Sequence, residues 1–311
     1  MLATIDGPDW SANPDRIRDA LEANRIVYFP TCPIPLPDRA TLDFLRRELP
    51  ARLKLKNISY HPEAGRVSGI EADDATTTRV TAVLRGHLDE VSTFLRRVTG
   101  DLTEGARIGT CSFRPIEEKG RNLKPHASNE LVHVDAGAYG ATNGDRILRF
   151  FVNVHPERDR VWATKGSFDE MLDRYGRRAG LLDDAGRLQF QVAKGGGGRA
   201  FSALVAGLAR LYPLATVLDS SPYDRAMRRL HNYMKDDESF KADMNGYQEI
   251  RFPPNSAWIV FTDGVSHASL EGQFALVTTM IVRRARMRHP ERAPLNVLLS
   301  RAASPVHAAQ D

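Results

Sequence analysis

The residues in this sequence best suited to chemistry are His133 and Asp135, in the run Leu131-Val132-His133-Val134-Asp135-Ala136. Side chains alternate along a strand, so His133 and Asp135 project to one face while Val132 and Val134 pack on the other. Two ligand atoms side by side on a rigid strand leave one protein position to complete a facial triad. His267 is the candidate for it, because it follows the strongly β-forming run Trp258-Ile259-Val260-Phe261. Two histidines and one carboxylate on one face of iron leave three positions open, the arrangement of non-haem Fe(II) oxygenases. The triplet alone is a weak motif: nine His and 24 Asp among 311 residues give roughly 0.7 His-x-Asp triplets by chance. Its weight comes from lying in a run of period two with a second histidine on a later strand; the competing reading is a pair of satisfied core histidines.

Other constellations lead away from chemistry. Cys32 and Cys111 are the only cysteines, so neither a disulfide framework nor a cysteine zinc site is available. Gly195-Gly196-Gly197-Gly198 follows Lys194 but lacks the Lys-Ser/Thr of a phosphate loop, which favours a flexible loop. Gly264-Val265-Ser266-His267-Ala268 is one glycine short of a nucleophile elbow and leads into another strand, against serine hydrolase chemistry. The basic pairs Arg177-Arg178, Arg228-Arg229 and Arg283-Arg284 lack interleaved aromatics and predict no nucleic-acid partner.

These residues must be positioned by a folded scaffold, and the composition allows one. Hydrophobic residues make up 42% and charged residues 26% of the chain, which excludes disordered and fibrous classes. No apolar run approaches the roughly 18 residues of a membrane span, and Met1 to Asp6 lacks a basic, apolar leader. A soluble cytoplasmic protein is expected. The 43 Lys and Arg against 39 Asp and Glu give a net charge of +4, compatible with an anionic substrate.

The first third reads helical with one early strand. Asn13-Pro14-Asp15 opens a helix through about 23, Arg25 to Phe29 is β-rich, and Pro37-Asp38 opens a second helix through about 48. Val80, Leu84, Leu88, Val91, Leu95 and Val98 recur at helical spacing and predict a long helix over about 76–98. From about Ala106 the period becomes two, with strands expected at 107–114, 131–136, 146–154, 160–163, 247–252, 256–262 and 273–283. A helical insert over about 166–235 contains Phe168 to Tyr175, Ala200 to Tyr212 and Pro222 to Met234. The expected fold is mainly β with α layers: a double-stranded β-helix, or jelly roll, at 106–290, a helical layer at 1–105, and a loosely packed tail at 291–311.

A family resemblance is carried by Ser112-Phe113-Arg114-Pro115 with Glu117, His133-Val134-Asp135-Ala136, Arg146 to Val154, Arg160-Val161-Trp162 and Asn232-Tyr233-Met234-Lys235, together with Phe261-Thr262-Asp263-Gly264-Val265-Ser266-His267-Ala268 and Gly272 to Leu276. Over about 107–283 the chain resembles the Kdo 3-hydroxylases, Fe(II)- and 2-oxoglutarate-dependent dioxygenases acting on 3-deoxy-D-manno-oct-2-ulosonic acid in lipopolysaccharide. Asn255 stands where that pattern has glycine before Ser256-Ala257-Trp258, a position Asn tolerates because it visits the left-handed region.

The resemblance implies Fe(II) held by His133, Asp135 and His267, with 2-oxoglutarate and O2 as cosubstrates. The remote carboxylate of 2-oxoglutarate needs a cation. Arg149 is the lone charge in Ile147-Leu148-Arg149-Phe150-Phe151 and is either that clamp or half of a structural ion pair. Arg283, sixteen residues after His267, is a rival; Arg114 can meet the cosubstrate or a sugar carboxylate. Asn153 shares the strand face of Arg149 and is a candidate donor to substrate, against a hydrogen bond at the core edge. The implied substrate is the inner Kdo of Kdo2-lipid A, met by peripheral contact with an anionic membrane surface. The alternatives are a 2-oxoglutarate oxygenase of another polar metabolite and a jelly-roll binding module that holds a metal without turnover.

Overall fold

The computed structural model describes residues 1–7, 14–137, 140–192 and 221–302. Among them eleven strands form two sheets. In chain order these are β1 (Leu2–Thr4), β2 (Ile26–Phe29), β3 (Ile58–His61), β4 (Arg66–Ser68), β5 (Arg107–Arg114), β6 (Arg146–Asn153), β7 (Arg160–Thr164), β8 (Gln248–Phe252), β9 (Ala257–Phe261), β10 (Ala268–Glu271) and β11 (Ala275–Val282). The large sheet runs β1-β2-β9-β6-β11-β5-β3-β4, and the small one β10-β7-β8. All of these pairings are antiparallel except β1 with β2.

Helices α1 (Pro14–Glu22), α2 (Arg39–Arg47), α3 (Asp74–Thr99), α4 (Phe168–Tyr175), α5 (Pro222–Asp236), α6 (Glu238–Ala242) and α7 (Pro294–Ala302) pack around the sheets. The protein is thus a mixed α/β chain built on a large sheet. In α3, Asp73 caps the first turn by accepting the Thr76 N–H at 2.7 Å, and the predicted stripe from Val80 to Val98 is buried. That stripe lies on β3, β4 and β5, and Phe94 meets Phe29 and Phe150 edge-on at 5.7 and 5.9 Å.

Strand β6 separates two cores by its alternation. Leu148, Phe150 and Val152 face the helical layer, whereas Phe151 joins Trp162, Trp258, Phe252 and Val260 in a second cluster. Phe151 and Trp258 stack at 5.0 Å, and Trp258 and Phe252 at 3.8 Å. Arg149 shares the parity of Phe151, which turns its side chain towards this inner face.

Several expectations need correction. The first third supplies four strands rather than one, and β1, β3 and β4 are too short, at three or four residues, to show a two-residue period. The segment 131–136 is no regular strand: it bridges His133 to His267, after which the Asp135 N–H donates to Thr262 O at 2.9 Å. The main chain changes partner between the two ligand residues, yet the alternation survives, with Val134 buried among the insert helices. The described part of the segment after Pro290 forms α7, whose Leu295 and Leu298 recur at helical spacing and are buried against the insert. Asn255 has φ +62°, the left-handed conformation expected of it. The glycine run 195–198 and the helix expected from 200 to 212 lie outside the described residues.

Candidate metal centre

His133, Asp135 and His267 each offer one ligand atom, and these atoms lie within 4.8 Å of one another. The bridge supplies the registration: His133 N donates to His267 O at 3.0 Å and His267 N to His133 O at 2.8 Å, so the two imidazoles leave neighbouring positions on facing segments. Their ring centres are 4.7 Å apart. His133 Nδ1 is 2.7 Å from Leu131 O and His267 Nδ1 is 3.0 Å from Val265 O. A carbonyl can only accept, so both Nδ1 atoms carry the proton and both Nε2 atoms keep a lone pair for a metal. His133 Nε2 stands 3.7 Å from Asp135 Oδ1.

The electrostatics suit a cation ligand set. Burial, reinforced at His133 by the charge of His267, pushes both imidazoles below their ordinary value, so they remain neutral near pH 7. At Asp135 burial pushes upward, but Arg149 and the two histidines outweigh it and hold the carboxyl well below the usual range. Arg149 Nη2 lies 2.9 Å from Asp135 Oδ2. The contact is an ion pair without hydrogen-bond alignment, and Oδ2 is buried with no hydrogen-bond partner. Two neutral imidazoles that present Nε2 and an ionised carboxylate whose Oδ1 faces His133 fit a divalent metal.

The turn before His267 is set by a buried network. Arg146 Nε donates to Asp263 at 2.6 Å, Asp263 accepts the Ile147 N–H at 3.1 Å, and Arg146 Nη2 donates to Asn24 at 2.8 Å. A Cβ on Gly264 would fall 2.2 Å from Asn24 Oδ1 and 2.3 Å from Arg146 Nη2, so that position admits no side chain. Ser266 Oγ donates to Gly166 O at 2.8 Å and accepts the Lys165 N–H at 2.9 Å, which leaves no nucleophile there. Trp162 stacks on His267 at 5.2 Å and backs the site with an apolar wall.

The triad opens into a cavity of about 300 Å³. Arg114 of β5 and Arg149 of β6 both line it, with Thr110, Ser112 and Thr279 between them. Two other candidates lie elsewhere. Arg283 is exposed beyond β11 against the turn at Gly105, four residues or about 13 Å along the strand direction from Thr279. Asn153 is fully buried and engaged: its amide donates to Arg158 O at 2.9 Å and Phe252 O at 2.8 Å, and its oxygen accepts the His155 N–H at 2.9 Å. Sequence reasoning assigned no role to Lys56, His231 and Lys235, which also line the cavity. His231 Nδ1 is 2.8 Å from Val134 O and its ring is 5.0 Å from that of His133. For His231 and Lys235 the available signals were their i, i+4 spacing on one helix face and the presence of Lys235 in a block that carries the resemblance; Lys56 had none.

Two imidazoles and one carboxylate converging on a cavity between the sheets define a non-haem iron oxygenase. Residues 9–304 match the family model described as 3-deoxy-D-manno-oct-2-ulosonic acid (Kdo) hydroxylase, and the chain belongs to that family. It is similar to solved structures of Kdo hydroxylase KdoO, a non-heme Fe(II) alphaketoglutarate dependent dioxygenase. For the complex with cobalt(II) the identity is 27% and the TM-score 0.78, covering 100% of this chain and 98% of the other. For the complex with alphaketoglutarate and Fe(III) the values are 27% and 0.76, covering 96% and 95%. A search of curated proteins finds no match.

Proposed function

We propose that this protein hydroxylates carbon 3 of a Kdo residue, the inner Kdo of Kdo2-lipid A, while 2-oxoglutarate and O2 are converted to succinate and CO2. The observation that carries the reading is the cluster of His133, Asp135 and His267 opening into a cavity walled by Arg114 and Arg149. In this reading the two sheets are the halves of a double-stranded β-helix, and the N-terminal layer, core and insert act as one unit. Fe(II) bound at the triad, with 2-oxoglutarate and O2, supplies the oxidising chemistry.

The chain's own residues do the positioning. His133 and His267 present Nε2 because Leu131 O and Val265 O hold the Nδ1 protons, and Asp135 is kept ionised by Arg149. Arg149 and Arg114 are the cations for the cosubstrate carboxylates, and the hydroxyls of Thr110 and Thr279 flank them. Phe151 and Trp162 exclude water from the sheet side of the site.

None of the helices among the described residues is long and apolar enough to cross a membrane. In the proposed reading the lipid is met from the cytoplasmic side by peripheral contact, with cations near the mouth drawn to anionic headgroups at about 1 kcal/mol each. The test is oxygen-dependent succinate formation by the iron-loaded protein on Kdo2-lipid A and on free Kdo, with vesicle sedimentation over a salt series. The reading expects strong preference for the lipid and salt-sensitive sedimentation. Equal kcat/KM on both substrates with no salt dependence would move the substrate to a soluble metabolite.

A further inference from the structure

Three buried arginines each face a carboxylate: Arg146 meets Asp263 at 2.6 Å, Arg160 meets Glu118 at 3.0 Å and Arg18 meets Glu22 at 2.9 Å. Lys235 is 2% exposed and has none within ion-pair distance among the described residues. Its ammonium donates to Ser128 O at 2.9 Å and His126 O at 3.3 Å, which leaves one of three N–H groups over. Burial, with Lys56 adding to it, lowers its pKa to about 8 although the charge of Asp135 acts in the other direction. The other buried lysine, Lys165, closes against the carbonyl and ring of Phe240 and does not line the cavity.

Lys235 opens into the same cavity as the triad, from α5, one turn beyond His231. It stands on the helical side, whereas Arg114 and Arg149 stand on the strands of the large sheet. Lys56, exposed at the rim, lines the cavity near both groups. The reaction brings two anions together, a dicarboxylate cosubstrate and a sugar acid, and like charges in one cavity need separate counter-charges.

We propose that Lys235, assisted by Lys56, forms the subsite for the substrate's own carboxylate, apart from the arginines that take the cosubstrate. The assignment rests on the function proposed above. The subsite selects a 2-oxo sugar acid over a neutral sugar and turns it so that the carbon beside the anomeric centre meets the metal.

The experiment compares Kdo2-lipid A with its Kdo methyl esters in the iron-loaded protein. The wild type should lose at least about tenfold in kcat/KM on esterification. Lys235→Met should lose a similar factor on the acid, with its acid-over-ester preference falling below about threefold and its KM for 2-oxoglutarate rising less than about threefold. Lys235→Arg should retain the preference, and Lys56→Met, at an exposed position, should weaken it partly. A wild-type preference surviving in Lys235→Met, or a loss expressed in the 2-oxoglutarate KM instead, overturns the assignment. Should Lys235→Met not fold, an unchanged preference in Lys56→Met overturns it. A wild-type protein inert on both substrates removes the functional reading itself and the subsite with it.

Discussion

Arg149 on β6 and Asp135 on the bridging segment are joined at 2.9 Å, so a cation that lines the cavity holds the carboxylate of the candidate metal centre. Of the two readings open for Arg149 on sequence, the ion pair is present in the structure, and the clamp is part of the proposed function. Its pairing at Oδ2 leaves Oδ1, 3.7 Å from His133 Nε2, on the side of the other ligands.

From that pairing, Arg149→Gln is expected to raise the 2-oxoglutarate KM by roughly thirty- to a few thousandfold, about 2–5 kcal/mol, and to weaken Fe(II) binding as well. Arg283→Gln, remote from the cavity, should change neither by more than about twofold. Steady-state kinetics and anaerobic Fe(II) titration decide it; the opposite pattern would return the clamp to Arg283.

His133→Ala, Asp135→Ala and His267→Ala should each fold and each fail to form succinate. The independent readout is the weak visible charge-transfer band of anaerobic Fe(II) with 2-oxoglutarate, expected in the wild type and missing in all three. Asp135→Glu should also be poor, because an added methylene shifts the carboxylate by about a bond length at a site of tight geometry. Full turnover in the His267 variant would remove the triad.

What was legible beforehand follows from which residues carry their own context. His133 and Asp135 were readable because ligand type and alternation are both local, and Phe168–Tyr175 because Ser167 and Glu170 form a capping box ahead of an apolar stripe. Asn153 stayed open between substrate donor and core-edge hydrogen bond because alternation places it on the face of Arg149, while the carbonyls that claim it belong to a turn at Arg158 and to Phe252 on the other sheet. Lys235 entered only as the end of the block Asn232-Tyr233-Met234-Lys235 and carried no role, for the converse reason. In Arg228-Arg229-Leu230-His231-Asn232-Tyr233-Met234-Lys235 it reads as a solvated helix face, and only the carbonyls of His126 and Ser128, more than 100 residues away, bury it. The short strands β1, β3 and β4 depend likewise on partners rather than on their own sequence.

Asn153→Ala tests its structural role. Removing the amide leaves the Phe252 and Arg158 carbonyls and the His155 N–H without their partner, at a cost of about 2–4 kcal/mol. Urea denaturation should show that loss, with the 2-oxoglutarate KM changed less than about twofold. A large KM change at unaltered stability would restore Asn153 to the site.

His87 predicts an acid-sensitive core. It is buried on α3, neither ring nitrogen has a hydrogen-bond partner, and burial lowers its pKa to about 4 from an ordinary 6.5. The unfolded chain thus binds a proton between pH 6.5 and 4 that the folded chain refuses, so this contribution is full above pH 6.5 and is lost as pH falls. By pH 5.5 the loss is on the order of 1 kcal/mol. Stability curves at pH 7.5 and 5.5 should differ by that much less in His87→Leu, and an equal acid loss in both proteins would exonerate His87.

The central claim is that this site adds oxygen to Kdo, and mass spectrometry of lipid A with its attached Kdo tests it most directly, comparing cells that carry this protein with cells that lack it. The account predicts a gain of one oxygen atom on a Kdo residue, placed at carbon 3 by fragmentation, in cells with the wild type and its absence with His133→Ala. Identical Kdo masses in both, from cells in which the folded protein is present, would contradict it.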